Sequence, residues 1–357
     1  MDRLLDAAEA TVSVGVRKLC CELGIDSRSF ARSVQRLKST AQLTMGEELF
    51  RQIVEQEGKA ALIMSAKEEL EVGWSAGQCK TTTPSGEVVS RLYGSGDGVM
   101  VPTVTQAEKD RRRAKTLARR GRMSRGKRGR LGRLPPVSKG TDQRYKQVYV
   151  TNFYDQAQEH RLVGVTAKGT AGLSRLLRRD AGRVCLRGAQ ERRGIVDGAV
   201  CLRSNLEVLS LDEVLLDFYH FSEHVGEAGK ATLGEQEVEG WIQSVLHEAR
   251  HVGYSSMFQQ LMDWRGKLRG GKRKAADRLI NYAAQRQDMM GYERCDEHGW
   301  DVGSGPMESM CGVTTDRIKG RGRRWNLENA EAVMELEALH QSNLWQRYWD
   351  KAFACCN

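Results

Sequence analysis

At 357 residues the chain is long enough for a substantial core with one or two appended or inserted modules. Its 40% hydrophobic and 29% charged residues fit a globular protein. No run of about 18 apolar residues offers a membrane span. The acidic, amphipathic start Met1-Asp2-Arg3-Leu4-Leu5-Asp6 does not fit a secretory signal, so a cytosolic protein is expected. Nine cysteines include the adjacent pairs Cys20-Cys21 and Cys355-Cys356 but no C-x-x-C with a matching partner, and free thiols are expected.

The net charge of +10 belongs to one segment. Lys109 to Arg133 carries thirteen Lys or Arg against the single acid Asp110, a net of +12, which leaves −2 for the rest. Dense Arg with interspersed Gly lacks the apolar spacing to fold alone, and it can neutralise phosphates by releasing counterions. A basic insert over residues 105–140 that touches DNA or RNA is expected, with a solvated basic loop as the bland alternative.

In chain order, residues 1–80 read as helical. Ala7 to Leu23 has few breakers, Gly24-Ile25 reads as a turn, Asp26 or Ser27 can cap a second helix through Leu37, and Thr44 precedes a third with Leu49, Ile53 and Val54 on one face. This fits a helix-turn-helix that reads DNA, or equally a bundle that supports the core. From Glu87 the pattern turns to strand, with Val88 to Tyr93 and Val99 to Pro102 flanking Asp97. Tyr145 to Phe153 alternates with period two, and His160 to Ala167 follows it as a hairpin partner. A helix near Ala171 to Arg179, a short strand near Gly194 to Asp197, a helix or loop at Cys201 to Leu209 and an apolar strand, Glu213 to Asp217, complete a mixed α/β core over 81–228. Residues 229–298 read as an all-helical insertion. The core resumes at 299–357 and ends in a helix opened by Asn326.

Three motifs set an acid among small residues: Ser95-Gly96-Asp97-Gly98, Val196-Asp197-Gly198-Ala199 and Gly303-Ser304-Gly305-Pro306-Met307-Glu308. Carboxylates that converge from distant parts of a chain can hold Mg²⁺ beside a phosphate. Taken singly, Gly-Asp-Gly is also a common tight turn. Pro306 suits a first helical turn, which would aim Glu308 at whatever lies by the helix start. Asp217 and His220 are three apart, so on a helix they could hydrogen-bond and hold the imidazole near a phosphate, or simply make a structural bond.

Asp97 in S-G-D-G, Asp197 in V-D-G-A, D-F-Y-H from Asp217 to His220, and G-S-G-P-M-E-S-M-C-G from Gly303 to Gly312, followed by Asp316-Arg317 and Gly322-Arg323-Arg324-Trp325, resemble the DDE transposases of bacterial insertion sequences. The similarity points to the ISKra-type group, related to the Mutator-like superfamily, and covers roughly Tyr93 onward. The resemblance implies a ribonuclease-H-like fold with Asp97 on the first strand, Asp197 on the fourth and Glu308 on a helix after an inserted helical domain. It also implies two Mg²⁺ ions, with Mn²⁺ as a substitute, held by Asp97, Asp197 and Glu308. Asp217 and His220 match an accessory signature, and Asp217 is the alternative second ligand. The implied activity is cleavage at the element's ends followed by strand transfer, by an oligomer on double-stranded DNA and therefore in the nucleoid. Arg111, Arg112, Arg113, Arg119 and Arg120 of the insert, and Arg317, Arg323 and Arg324 after the glutamate, are the expected DNA contacts. A nuclease that cleaves without joining and a non-enzymatic basic nucleic-acid-binding protein are the competing classes.

Overall fold

The computed structural model describes residues 12–134 and 136–354. The expected start of the first helix at Ala7, and the Cys355-Cys356 pair, lie outside the described residues. Ser13 caps α1 (Val14–Asp26), its hydroxyl accepting from Val16 N. The helix runs straight through Gly24-Ile25, where a turn was expected. Gly24 is needed for close packing instead, since a Cβ there would stand 2.8 Å from Val54. Ser29 caps α2 (Phe30–Ala41), and α3 (Glu47–Ala66) begins at Gly46. On α3 the inward residues are Phe50, Ile53 and Val54, whereas Leu49 is exposed.

After a short 3₁₀ turn at Ala76–Gln78, β1 (Lys80–Thr82) pairs with β2 (Val88–Pro102), a strand of 15 residues. Asp97 therefore sits inside a strand and not in a turn. The glycines explain the misleading signal: Gly94, Gly96 and Gly98 alternate along one face. A Cβ at Gly94 would meet the Phe153 ring at 3.0 Å, and one at Gly98 would overlap Gln147. They give room to side chains of the neighbouring strand, a use of strand glycine that reads locally like turn chemistry.

The basic insert folds as α4 (Gln106–Gly121) and the short α5 (Arg125–Arg130), where a loop was expected. Arg, Lys and Ala are strong helix formers, and Thr105 caps the start by accepting from Glu108 N. β3 (Tyr145–Tyr154) and β4 (Arg161–Thr166) form the expected antiparallel hairpin. Then come α6 (Gly169–Arg183), β5 (Glu191–Val196), α7 (Val200–Leu206) and β6 (Glu213–Leu216). The sheet order is β4-β3-β2-β5-β6, antiparallel from β4 to β2 and parallel from β2 to β6. The fold is α/β with a mixed six-stranded sheet.

The stretch 238–294 is helical, as its spacing suggests. α8 (Phe218–Thr232) and α9 (Glu235–His247) are followed by a π-helical turn at Glu248–Val252, then α10 (Tyr254–Gly266), α11 (Gly270–Ala284) and α12 (Glu293–His298). Val245, Leu261, Trp264, Leu279 and Ile280 are buried within it. α13 (Gly305–Asp316) carries Glu308. The expected single last helix is two, α14 (Leu327–Gln341) and α15 (Trp345–Ala354), broken at Asn343, whose φ is 55°. α14 is central: α3 packs on one side of it and β4 on another. The N-terminal helices thus share one apolar core with the sheet. Among the described residues no helix is long and apolar enough to cross a membrane.

The α3–α14 approach is close because Gly58 has no side chain, and an added Cβ would lie 2.2 Å from the Ala332 carbonyl oxygen. Gly58→Ala is expected to cost about 1–3 kcal/mol through overpacking. The measurement is a urea melt, in which the midpoint falls while the slope is unchanged.

Candidate active site

The parallel half of the sheet sets its side chains in rows. Arg91 pairs in register with Glu191 and Gly94 with Gly194; Arg193 pairs with Glu213 and Val196 with Leu216. Asp97 lies within β2, and Asp197 and Asp217 are the residues directly after the last residues of the neighbouring strands β5 and β6, where Asp217 N donates to Val196 O. Alternation puts Asp97 on the face of Arg91 and Tyr93, and Asp217 reaches the same side through Ser304. Helices α6 and α7 occupy the opposite face, where Leu173 and Leu202 approach Gly96.

α13 crosses the aspartate face. Its Cys311 is buried and donates its thiol to Asp97 Oδ2 at 3.5 Å. Glu308, one turn earlier on the same helix, is exposed. Burial, with Asp97 next and Glu308 further off, pushes the Cys311 thiol well above its ordinary range. Asp97 and Glu308 thus approach one thiol from two elements. The oxygens of Asp97, Asp197 and Glu308 do not draw into a tight knot: the one group of ligand atoms lying within 4.8 Å of one another among the described residues is Cys79, Asp155 and His160.

Asp197 follows the last residue of β5 and turns the chain. Its Oδ1 accepts from Ala199 N, and Gly198 follows with φ +84°. A Cβ at Gly198 would stand 2.6 Å from Arg286 and 2.7 Å from Leu216, so glycine is required on both counts. The helical insertion clasps this corner: the Tyr282 hydroxyl donates to Asp197 O, and the Arg286 guanidinium donates to Gly198 O. Nothing in the local sequence marks Tyr282 or Arg286 for this contact. Cys311 could have been found from its i+3 spacing to Glu308.

Asp217 has a different job. Its Oδ1 caps α8 by accepting from Tyr219 N and His220 N, and its Oδ2 accepts from the backbone and hydroxyl of Ser304. The bond to His220 is therefore to the backbone, not to the imidazole. That ring faces Glu223 at 3.5 Å and meets the His224 ring edge-on. With both oxygens engaged in holding two helix starts, Asp217 is the less available of the two candidate second ligands.

No ion pair with Lys or Arg reaches Asp97, Asp197 or Glu308 among the described residues, although Arg91–Glu191 and Arg193–Glu213 pair on the same face. The three offer oxygen donors, the set suited to Mg²⁺ or Mn²⁺; the Cys311 thiol is the one soft group beside them.

The expected DNA-contacting arginines divide. Arg111, Arg112 and Arg119 are exposed on α4, while Arg113 and Arg120 are half-buried there. Arg112 and Arg324 both pair with Glu108, and Arg120 donates to Gly132 O. Arg317 is a correction. It is buried, donates to the Gly24 and Arg28 carbonyls, and lies over the Phe30 and Trp325 rings. Burial, then Arg323, lowers its pKa to about 10. Arg323 closes the end of α13 by donating to the carbonyls of Asp316, Arg317 and Lys319. A cleft of about 800 Å³ opens between α2, α3, α4 and the segment after α13, with Arg28, Arg51, Arg112, Arg113, Arg323 and Arg324 in its wall.

In comparison with known proteins, the chain matches no family model and no curated protein.

Thiol burial gives a direct check of this geometry. Cys185 is exposed, whereas Cys20, Cys79, Cys295 and Cys311 are buried and their thiols are pushed up by desolvation. Because the thiolate is the reactive form, iodoacetamide at neutral pH is expected to label Cys185 well before Cys311. Peptide mapping by mass spectrometry over time checks the order, and early Cys311 labelling would mean that α13 does not cover Asp97.

Proposed function

We propose that the chain is a DNA transposase of the DDE type, with Asp97, Asp197 and Glu308 as its metal-holding carboxylates and a ribonuclease-H-like core. The observation that carries this reading is that Asp97 lies on β2 and Asp197 directly follows the neighbouring parallel strand β5, with Cys311 of the Glu308-bearing helix bonded to Asp97. It is supported by the element order: of the five strands after β1, that of Asp97 comes first and that of Asp197 fourth, and the helix of Glu308 follows a helical insertion. It is supported further by the lack of Lys or Arg partners around these carboxylates.

Mg²⁺ held there would supply activation of a hydroxyl nucleophile and neutralisation of charge at the scissile phosphate. The chain's own contribution is placement. β2 and β5 fix two carboxylates at sheet spacing, and Asp217 fixes the start of α13 through Ser304. The α4 arginines attract the phosphate backbone of double-stranded DNA, as do Arg323 and Arg324 at the cleft. Action as an oligomer on DNA, in the nucleoid, belongs to the same proposal.

Asp97→Ala, Asp197→Ala and Glu308→Ala are each expected to abolish Mg²⁺-dependent cleavage of DNA bearing the element's ends, while gel-shift affinity stays within a few-fold. Full activity of the Asp197→Ala protein would remove it from the triad. A pre-cut end with a free 3′-hydroxyl tests joining: products without strand transfer would make the protein a nuclease.

The non-enzymatic reading has one observation in its favour, the exposed charge of α4. In that case chelation of Mg²⁺ changes nothing. In either case Arg111→Ala with Arg119→Ala should weaken DNA binding uniformly across sequences. The salt dependence should flatten by about one power of salt concentration for each phosphate no longer neutralised.

A further inference from the structure

On the flank of the sheet, away from the aspartate row, lies a second set of chemically able side chains. Cys79 enters β1 from the 3₁₀ turn, and Asp155 and His160 bracket the β3–β4 turn. One ligand atom from each lies within 4.8 Å of the other two. Cys79 is 1% exposed and Asp155 4%, while the His160 side chain is 30% exposed. The ring of His160 is held on two sides: its Nδ1 is 2.9 Å from Asp155 Oδ2, and the Trp74 ring meets it edge-on with centroids 5.3 Å apart. Asp155 Oδ1 also accepts from His160 N, which fixes the carboxylate in the turn. On the other segment Cys79 Sγ points back towards Ser75 O at 3.7 Å.

We propose that Cys79, Asp155 and His160 form a site for Zn²⁺ or a cation of the same class, with the fourth position open to water. The donor chemistry selects the ion, because sulfur and imidazole with a single carboxylate suit Zn²⁺, whereas Mg²⁺ and Ca²⁺ require oxygen sets. On binding, the Cys79 thiol proton is released to solvent and the Asp155–His160 hydrogen bond is exchanged for bonds to the ion. The half-exposed His160 supplies the way in. The ion would clip the segment that leads out of the N-terminal helices to the hairpin of the core, so its effect is on stability and not on the phosphoryl-transfer site. This inference does not depend on the transposase reading.

The test uses the full chain in excess Mg²⁺, which occupies oxygen-only sites. Zn²⁺ competition against a chromophoric chelator should give one tight equivalent per chain, with affinity falling by more than about tenfold in His160→Gln. Substituted Co²⁺ should show a sulfur-to-cobalt charge-transfer band that Cys79→Ser abolishes. Zn²⁺ should also raise the melting temperature of the wild type and not of His160→Gln. The cluster is only a hairpin-closing Asp–His pair if the Co²⁺ complex of the wild type lacks that band, or if His160→Gln binds Zn²⁺ as tightly as the wild type. His160 lies at the rim, so this second variant decides the matter even if Cys79→Ser fails to fold.

Discussion

The geometry of the aspartate face depends on a short strap, residues 298–304, laid across the sheet and fastened at each step. Arg91, 1% exposed, donates to the carbonyls of His298 and Gly299 while its Nε pairs with Glu191. The Tyr93 hydroxyl accepts from Asp301 N, Phe218 N donates to Val302 O, and Asp217 takes the backbone and hydroxyl of Ser304. The bonds to His298 O, Gly299 O, Asp301 N, Val302 O and Ser304 N satisfy backbone groups that a loop over a sheet would otherwise leave orphaned. α13 begins where the strap ends, so the position of Glu308 follows from anchors on β2 and at the start of α8. A buried arginine is costly unless its charge and donors are met, and Arg91 meets them through one carboxylate, two carbonyls and the Gln156 amide oxygen.

The elements that can be read from sequence are those whose local chemistry and tertiary setting agree. The β3–β4 hairpin alternates with period two and is rich in β-formers, the strand ending at Asp217 is an uninterrupted apolar run, and Pro306 opens α13. Local signals mislead where glycine serves packing between elements. Gly24 looks like a turn but makes way for Val54, and the glycines around Asp97 look like a loop although Gly94 and Gly98 make way for Phe153 and Gln147. The break between α14 and α15 falls at Asn343 in the left-handed region, where no glycine announces it. Arg317 shows the limit for the site. An arginine in an Arg-rich stretch reads as a surface phosphate contact, and only the fold reveals that Phe30 and Trp325 enclose it.

The basic segment illustrates a related point. α4 has almost no apolar face, so burial cannot hold it in place; Glu108 and Lys109, both 8% exposed, anchor it instead. Glu108 joins Arg112 of its own helix to Arg324 beyond α13, and Lys109 Nζ reaches the Ser138 and Lys139 carbonyls. Desolvation at that spot lowers the Lys109 pKa. One residue of the cationic run is thus consumed in docking the helix, and most of the remainder stays at the surface, where a polyanion can reach it. Helix formation also spaces these charges along a rigid rod, which reduces the ordering cost that a disordered arginine tail would meet on binding.

Carboxylates gathered at neighbouring strands are unfavourable side by side unless their charge is met. The protein relieves one of them: Asp217 sits at the positive end of α8 and accepts hydrogen bonds on both oxygens. For Asp97 and Asp197 the relief is weaker, consisting of a thiol and a neighbouring amide for one and an amide for the other. A few residues back along the strands arginines balance Glu191 and Glu213, whereas the arginine at the Asp197 corner, Arg286, donates to the Gly198 carbonyl. The proposed ligand role of Asp97 and Asp197 rests on that contrast between paired and unpaired carboxylates, with Asp197 carrying its carboxylate at a chain reversal.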